Sequence, residues 1–211
     1  MFPIAPIFVR INLPQVLKTI LPAIFLYLCI GTVTAAVADR PELPQAERGV
    51  LDLRGWDFVA HGPATLDGRW EFYWEQLLLP GQFKDSHVTA PDYFDILSLW
   101  NDHYTSSTQL KGQGFATYHL RLRVPKSDYL LAVELPDMYC SYALWIDGEK
   151  LAANGVVGTR RKETTPQWMP QTIAFKPKRS TVDIVLQVAN FTHYRGGMND
   201  HIYIGEANQM F

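Results

Sequence analysis

The chain is poor in cysteine, with two in 211 residues, Cys29 and Cys140. Cys29 lies in an apolar run near the start, so removal of that run leaves Cys140 alone and excludes an internal disulfide. Leu28 is too bulky to precede a lipoprotein cysteine. Cys140 reads as a small buried hydrophobe. A nucleophilic role needs a nearby histidine and an electropositive pocket, and its sequence neighbours supply neither. A basic excess is also missing: 19 Lys and Arg stand against 21 Asp and Glu, a net charge of -2. No nucleic-acid partner is implied, because phosphate recognition calls for a basic surface. A second long apolar run and a tandem repeat are absent. So are a Gly-x-Ser-x-Gly elbow, a phosphate loop and a zinc motif. The six histidines show no close metal-ligand spacing. No catalytic group, metal or other cofactor is expected.

What is present begins with an export signal. Arg10 and Lys18 precede an apolar run over residues 20–38, which ends in Ala36-Val37-Ala38. The order positive, apolar, small is that of a secretory signal cleaved after Ala38. The run is nearly long enough to span a bilayer, so a retained membrane anchor stays open. The expected location is periplasmic or extracytoplasmic. Residues 39–48 are polar and proline-containing and read as a linker. Residues 49–211 read as one domain. Its 39–211 surroundings carry a net charge of -4, since residues 1–38 hold two cations and no acid. A hydrophobic fraction of 47% is enough for a packed core.

The domain is patterned as β. Tyr118, Leu120, Leu122 and Val124 alternate with His119, Arg121 and Arg123, as in a strand with one apolar and one charged face. Val182, Ile184, Leu186 and Val188 repeat the alternation. Residues 141–146 and 149–152 flank Asp147-Gly148, the signature of a tight type I′ hairpin. Further strands are expected over 69–74, 93–99, 129–135, 171–175 and 201–204. Trp70, Phe72 and Trp74 fall on one strand face and read as core. Helix signals are few, with one turn expected over 75–79. Many short strands separated by turn signals indicate an all-β sandwich or barrel. Two long polar connections, 101–113 and 154–170, are places where binding residues collect.

Four segments in order carry a family resemblance: GRWEFYWEQLLLPGQF (68–83), GFATYHLRLRVP (114–125), LWIDGEKLAANGVVGT (144–159) and VANFTHYRGGMNDHIYIG (188–205). Together they resemble the N-terminal extracytoplasmic domain of bacterial seven-transmembrane receptors with diverse intracellular signalling modules. That domain is similar to the sugar-binding jelly roll of glycoside hydrolase family two, within the galactose-binding-like superfamily. The resemblance implies a two-sheet antiparallel jelly-roll sandwich. It also implies a non-catalytic sensing module for a carbohydrate or small organic ligand, because the hydrolases keep their catalytic acids in a separate barrel. Partners would be that ligand, membrane-embedded receptor helices or another copy of the chain. In the family, seven membrane helices and an output module follow. This sequence stops at Phe211, so a truncated or split receptor and a stand-alone binding protein are both open. A structural or protein-interaction domain without a small ligand is the alternative reading.

Sugar recognition needs aromatic faces for C–H surfaces and planar polar groups for hydroxyls. The candidates are Asn154, Arg160 and Trp168 in one loop and Asn190, His193 and Arg195 in another. Each has a plainer reading. Asn190 closes a core strand, where Asn commonly satisfies loop backbone. Arg195-Gly196-Gly197 reads equally as a solvated turn. Trp168 can pack on the sandwich end, and Arg160 begins a charge run of the usual solvated kind. Trp100 is either core or a stacking platform. Asn and Asp at 101–102 or 199–200 are the oxygens that a structural calcium of the superfamily would use.

Overall fold

The computed structural model describes residues 41–104, 109–126 and 128–211. The apolar run, Cys29 and the signal or anchor reading lie outside these residues. Eleven strands are described: β1 Val50–Asp52, β2 Ala64–Thr65, β3 Arg69–Trp74, β4 Asp92–Asp95, β5 Gly114–Arg123, β6 Leu131–Leu135, β7 Ser141–Ile146, β8 Glu149–Asn154, β9 Gln171–Phe175, β10 Thr181–Asn190 and β11 Tyr203–Glu206. Two short helices, α1 Phe58–His61 and α2 Ala207–Met210, accompany them. The larger sheet runs β4-β3-β5-β10-β7-β8, and the smaller runs β2-β11-β6-β9. All pairings between these neighbours are antiparallel. The exception is β1, which runs parallel to β5 beside Arg121–Arg123, beyond the residues that β3 occupies. This is an all-β fold, as the strand pattern indicated, and of its sandwich and barrel alternatives it is the two-sheet sandwich that the resemblance implied.

The period-2 alternation explains the core. Tyr118, Leu120 and Leu122 of β5, Ile184, Leu186 and Val188 of β10, and Leu131, Val133 and Leu135 of β6 are all buried between the sheets. Trp70 and Phe72 join them, and Trp74 packs against the cluster from a partly buried position. Buried indoles keep their N–H groups satisfied: Trp70 donates to the Leu66 carbonyl at 2.8 Å and Trp100 to the Tyr118 hydroxyl at 2.7 Å. Trp100 is thus core and not a platform. Asp147 and Gly148 have φ of 49° and 84°, the two positive angles that a type I′ turn needs.

Three expectations change. Residues 75–79 form no helix; Glu75 has a φ of 53° and turns the chain back over the sheet. There the Leu78 amide donates to Thr117 Oγ1, and Gln187 Nε2 donates to the Leu78 carbonyl. The segment therefore covers the middle of the large sheet's outer face, and His119, Gln187 and Val185 are buried where a solvated face was expected. Within the stretch read as linker, Ala46 is buried and its amide donates to the Asp67 carbonyl at 2.7 Å. Residues Glu42–Phe211 form one compact unit that contains every residue of the core.

Candidate functional site

Register decides which loops meet. Ser141 of β7 pairs with Ala189 of β10, and Tyr142 pairs with Asn154 of β8. The start of β7 and the ends of β8 and β10 therefore lie at one end of the sandwich. Both candidate loops emerge there.

The β10 loop is built on Asn190. Its buried amide Nδ2 donates to the carbonyls of Gly112 at 2.6 Å, Arg195 at 2.8 Å and His193 at 2.9 Å. Its Oδ1 accepts from the amides of His193 at 3.0 Å and Thr192 at 3.3 Å. A strand-closing Asn suits this task, since one planar amide both accepts and donates to the loop backbone. The Asn101 amide clasps the same loop from the other side, donating to the Tyr194 carbonyl and accepting from Gly196 N–H. Gly196 packs against the Gly112 carbonyl and the Trp100 ring so closely that a Cβ has no room. Asn190 thus holds the site without presenting its own amide to a ligand.

The pinned loop and the β6–β7 connection enclose a recess of about 270 Å³. Buried Met138 and Cys140 and half-buried Leu99 form its apolar side. Tyr139, His193, Tyr194, Arg195 and Asn199 form its polar and aromatic side. Tyr139 stacks on His193 with ring centroids 4.9 Å apart and planes at 19°. Tyr194 tilts against the other side of the imidazole at 4.6 Å. The Arg195 guanidinium lies 5.2 Å over the Tyr194 ring, and no carboxylate among the described residues pairs with it. His193 Nδ1 sits 3.1 Å from the Arg195 carbonyl and 3.3 Å from its amide, so the tautomer sets whether it donates or accepts. Burial pushes the Cys140 thiol up to about 12, with the charge of Asp137 adding to it, which makes it a lining hydrophobe and not a nucleophile.

The other three candidates share the end but not the recess. Asn154 is fully buried; its Nδ2 donates to the Met169 carbonyl at 3.1 Å, while its Oδ1 has no partner among the described residues. It anchors its own loop, which closes on itself through Val156 and Thr165. Arg160 pairs with Glu163 at 2.5 Å on the surface. Trp168 is exposed beside Met169 and stands outside the recess. Tyr139 was not among the candidates. Its signal was faint: an exposed aromatic alternating with Met138 and Cys140 on the approach to a strand.

A second polar constellation lies on the outer face of the large sheet. His119 Nδ1 is 2.7 Å from Glu71 Oε2, and its Nε2 is 2.7 Å from Asp183 Oδ1. Two ionised carboxylates on two ring nitrogens are both satisfied when each nitrogen carries a proton, so this setting favours the imidazolium form of His119. Arg121 donates to Glu71 Oε1 at 2.6 Å and the Tyr73 hydroxyl to Oε2 at 3.2 Å. Phe83 caps the ring at 4.1 Å. Burial alone lowers the His119 pKa, but the hydrogen bonds and charges of Asp183 and Glu71 outweigh it and raise it. Burial alone raises Glu71, but His119, Arg121 and Tyr73 outweigh it and hold the carboxyl low. With every acid and base paired, the cluster reads as a rivet between β3, β5 and β10. Among the described residues, no group of three or more His, Cys, Asp or Glu gathers as a metal site. The Asn101 amide is spent on the β10 loop, and Asp200 Oδ1 accepts the His201 amide at 2.8 Å.

No protein-family model matches the chain, and no curated protein matches it. Among solved structures, a β-glucuronidase from Ruminococcus gnavus in complex with uronic isofagomine aligns with a TM-score of 0.49 and 13% identity, over 67% of this chain and 28% of that one. The R. gnavus β-glucuronidase in complex with D-glucuronic acid gives 0.48, 13%, 67% and 28%. A family-two β-galacturonidase from Eisenbergiella tayi bound to galacturonate gives 0.45, 12%, 68% and 24%. The chain thus spans under a third of the length of these enzymes, and no functional argument rests on the likeness.

Proposed function

We propose that the recess at the Tyr139 end binds a carbohydrate or another small organic ligand, and that the domain is a non-catalytic, extracytoplasmic sensing module. The observation that carries this is the pairing of a stacked aromatic platform, Tyr139 on His193, with an Arg195 guanidinium held by its loop and free of a carboxylate partner among the described residues. Aromatic faces suit sugar C–H surfaces, and a guanidinium fork suits a carboxylate or paired hydroxyls. The volume, about 270 Å³, is near the lower bound for ligand pockets and fits one small ring. A signalling role and export to the periplasm rest on the ordered motifs and the opening segment, not on the recess.

The test is calorimetry or thermal shift on residues 42–211 against neutral and acidic monosaccharides. A sugar that stabilises the domain, with the gain lost in Tyr139→Ala and Arg195→Ala, supports the reading. A folded domain that answers to none of them counts against it. The neighbouring exposed Trp168 and Met169 favour one second reading, in which this end is a protein-interaction surface. Trp168→Ala would then change assembly and leave ligand binding untouched.

A further inference from the structure

The opposite end of the sandwich has its own chemistry. The β5–β6 and β9–β10 connections bring Lys126, Lys176, Lys178 and Arg179 around a cleft of about 640 Å³. All four side chains are exposed. Asp128 is the acid that lines the cleft, and Lys178 approaches Glu149 only to 3.9 Å. Arg54 and Arg123 share Asp52 at the same end. Residues 39–211 are acidic as a whole, so this concentration of cations is a local reversal of sign.

Exposed apolar side chains accompany the cations. Leu130 lies in the same β5–β6 connection as Lys126. Its carbonyl accepts the Ala207 amide, which places α2 beside it. Phe211 follows α2 and Val59 sits on α1, and both are exposed. Pro63, after α1, and Met210 of α2 both lie against Gly205 of β11, so the two helices share this end. None of the four exposed Tyr and Trp side chains among the described residues is here. Lysine is a compact, freely oriented point charge, suited to phosphate groups that present no fixed geometry. Cations that share one end with exposed apolar side chains match a bilayer interface, where phosphates attract the charges and the acyl boundary accepts the apolar groups.

We propose that this end docks reversibly on an anionic bilayer surface, with Lys126, Lys176, Lys178 and Arg179 on lipid phosphates and Leu130 at the acyl boundary. A chain whose first 38 residues read as an export signal or an anchor meets bilayers in either case. Docking would leave the aromatic recess facing away from the membrane.

The test uses residues 42–211, which hold the whole core and omit the apolar run. Co-sedimentation is measured with phosphatidylcholine vesicles, with and without phosphatidylglycerol, at low and high salt. Binding that requires phosphatidylglycerol and falls with salt is expected. Lys126→Gln, Lys176→Gln, Lys178→Gln and Arg179→Gln combined should weaken it at least about tenfold. Leu130→Ser alone should weaken it less. Melting curves show that the variants fold. Equal binding to pure phosphatidylcholine, or undiminished binding by the quadruple variant, overturns the proposal. So does capture by a sulfated polysaccharide with no vesicle binding, which would make the cleft a glycan site.

Discussion

At one end of the sandwich stand Tyr104, Tyr139, Trp168 and Tyr194, each more than half exposed; at the other stand four exposed cations with Val59, Leu130 and Phe211. The same strands feed both. β10 leaves the basic end at Thr181 and reaches the aromatic end at Asn190, a ten-residue strand of roughly 30 Å. The support differs as much as the chemistry. The aromatic end is braced by side-chain amides, Asn190, Asn101 and Asn154, that satisfy loop backbone. Among the described residues the basic end shows few such bonds, and the four cations of its cleft are exposed. The contrast fits different tasks: a small ligand needs groups held within a fraction of an ångström, whereas a charged lipid surface asks only for charge and reach.

The largest expected effect tests whether the ends share one frame. His119→Gln leaves Glu71 and Asp183 facing each other without the imidazolium, and should cost about 3 kcal/mol in urea unfolding. It should weaken both ends together. The pH dependence follows from the two shifts. The raised His119 contributes stability below its ordinary 6.5, lost as pH rises through its folded value. The lowered Glu71 contributes above its ordinary 4.5, lost as pH falls through its folded value. The difference between wild type and His119→Gln should therefore peak between these pH values and shrink as pH rises through the folded His119 value.

Asn190→Ala comes next, at about 2 kcal/mol, from several lost bonds at a buried amide. Hydrogen exchange should accelerate at residues 191–197 and not at 176–180, and equal loosening of the two would break the comparison. Tyr139→Ala should move stability little and ligand affinity about tenfold, read by calorimetry. Smallest is the quadruple substitution at the basic end. Its stability should change by no more than about 0.5 kcal/mol, because exposed lysines contribute little to folding. A large loss would mean that the cations are structural.

Much of the frame was legible because period-2 alternation writes burial directly into sequence. The bounds of β3 and β9, and the Asp147-Gly148 hairpin, follow from residues adjacent along the chain. The 201–204 segment is displaced to Tyr203–Glu206, and 93–99 contracts to Asp92–Asp95, since turns at their ends are set by long-range packing. His193 and Arg195, singled out from the loop after β10, both line the recess. Asn154, Arg160 and Trp168 stand outside the recess for one reason. Loop composition shows what a loop can bind, not which neighbouring loop closes on it.

By itself the sequence determined the fold class, the hairpin turn and the core faces, because each depends on spacing between near neighbours. Only the tertiary structure decided that Tyr139 stacks on His193, that four cations from two connections share a cleft, and that buried His119 lies between two carboxylates. Glu71, His119 and Asp183 are separated by 48 and 64 residues. Only strand order and register bring them within 2.7 Å.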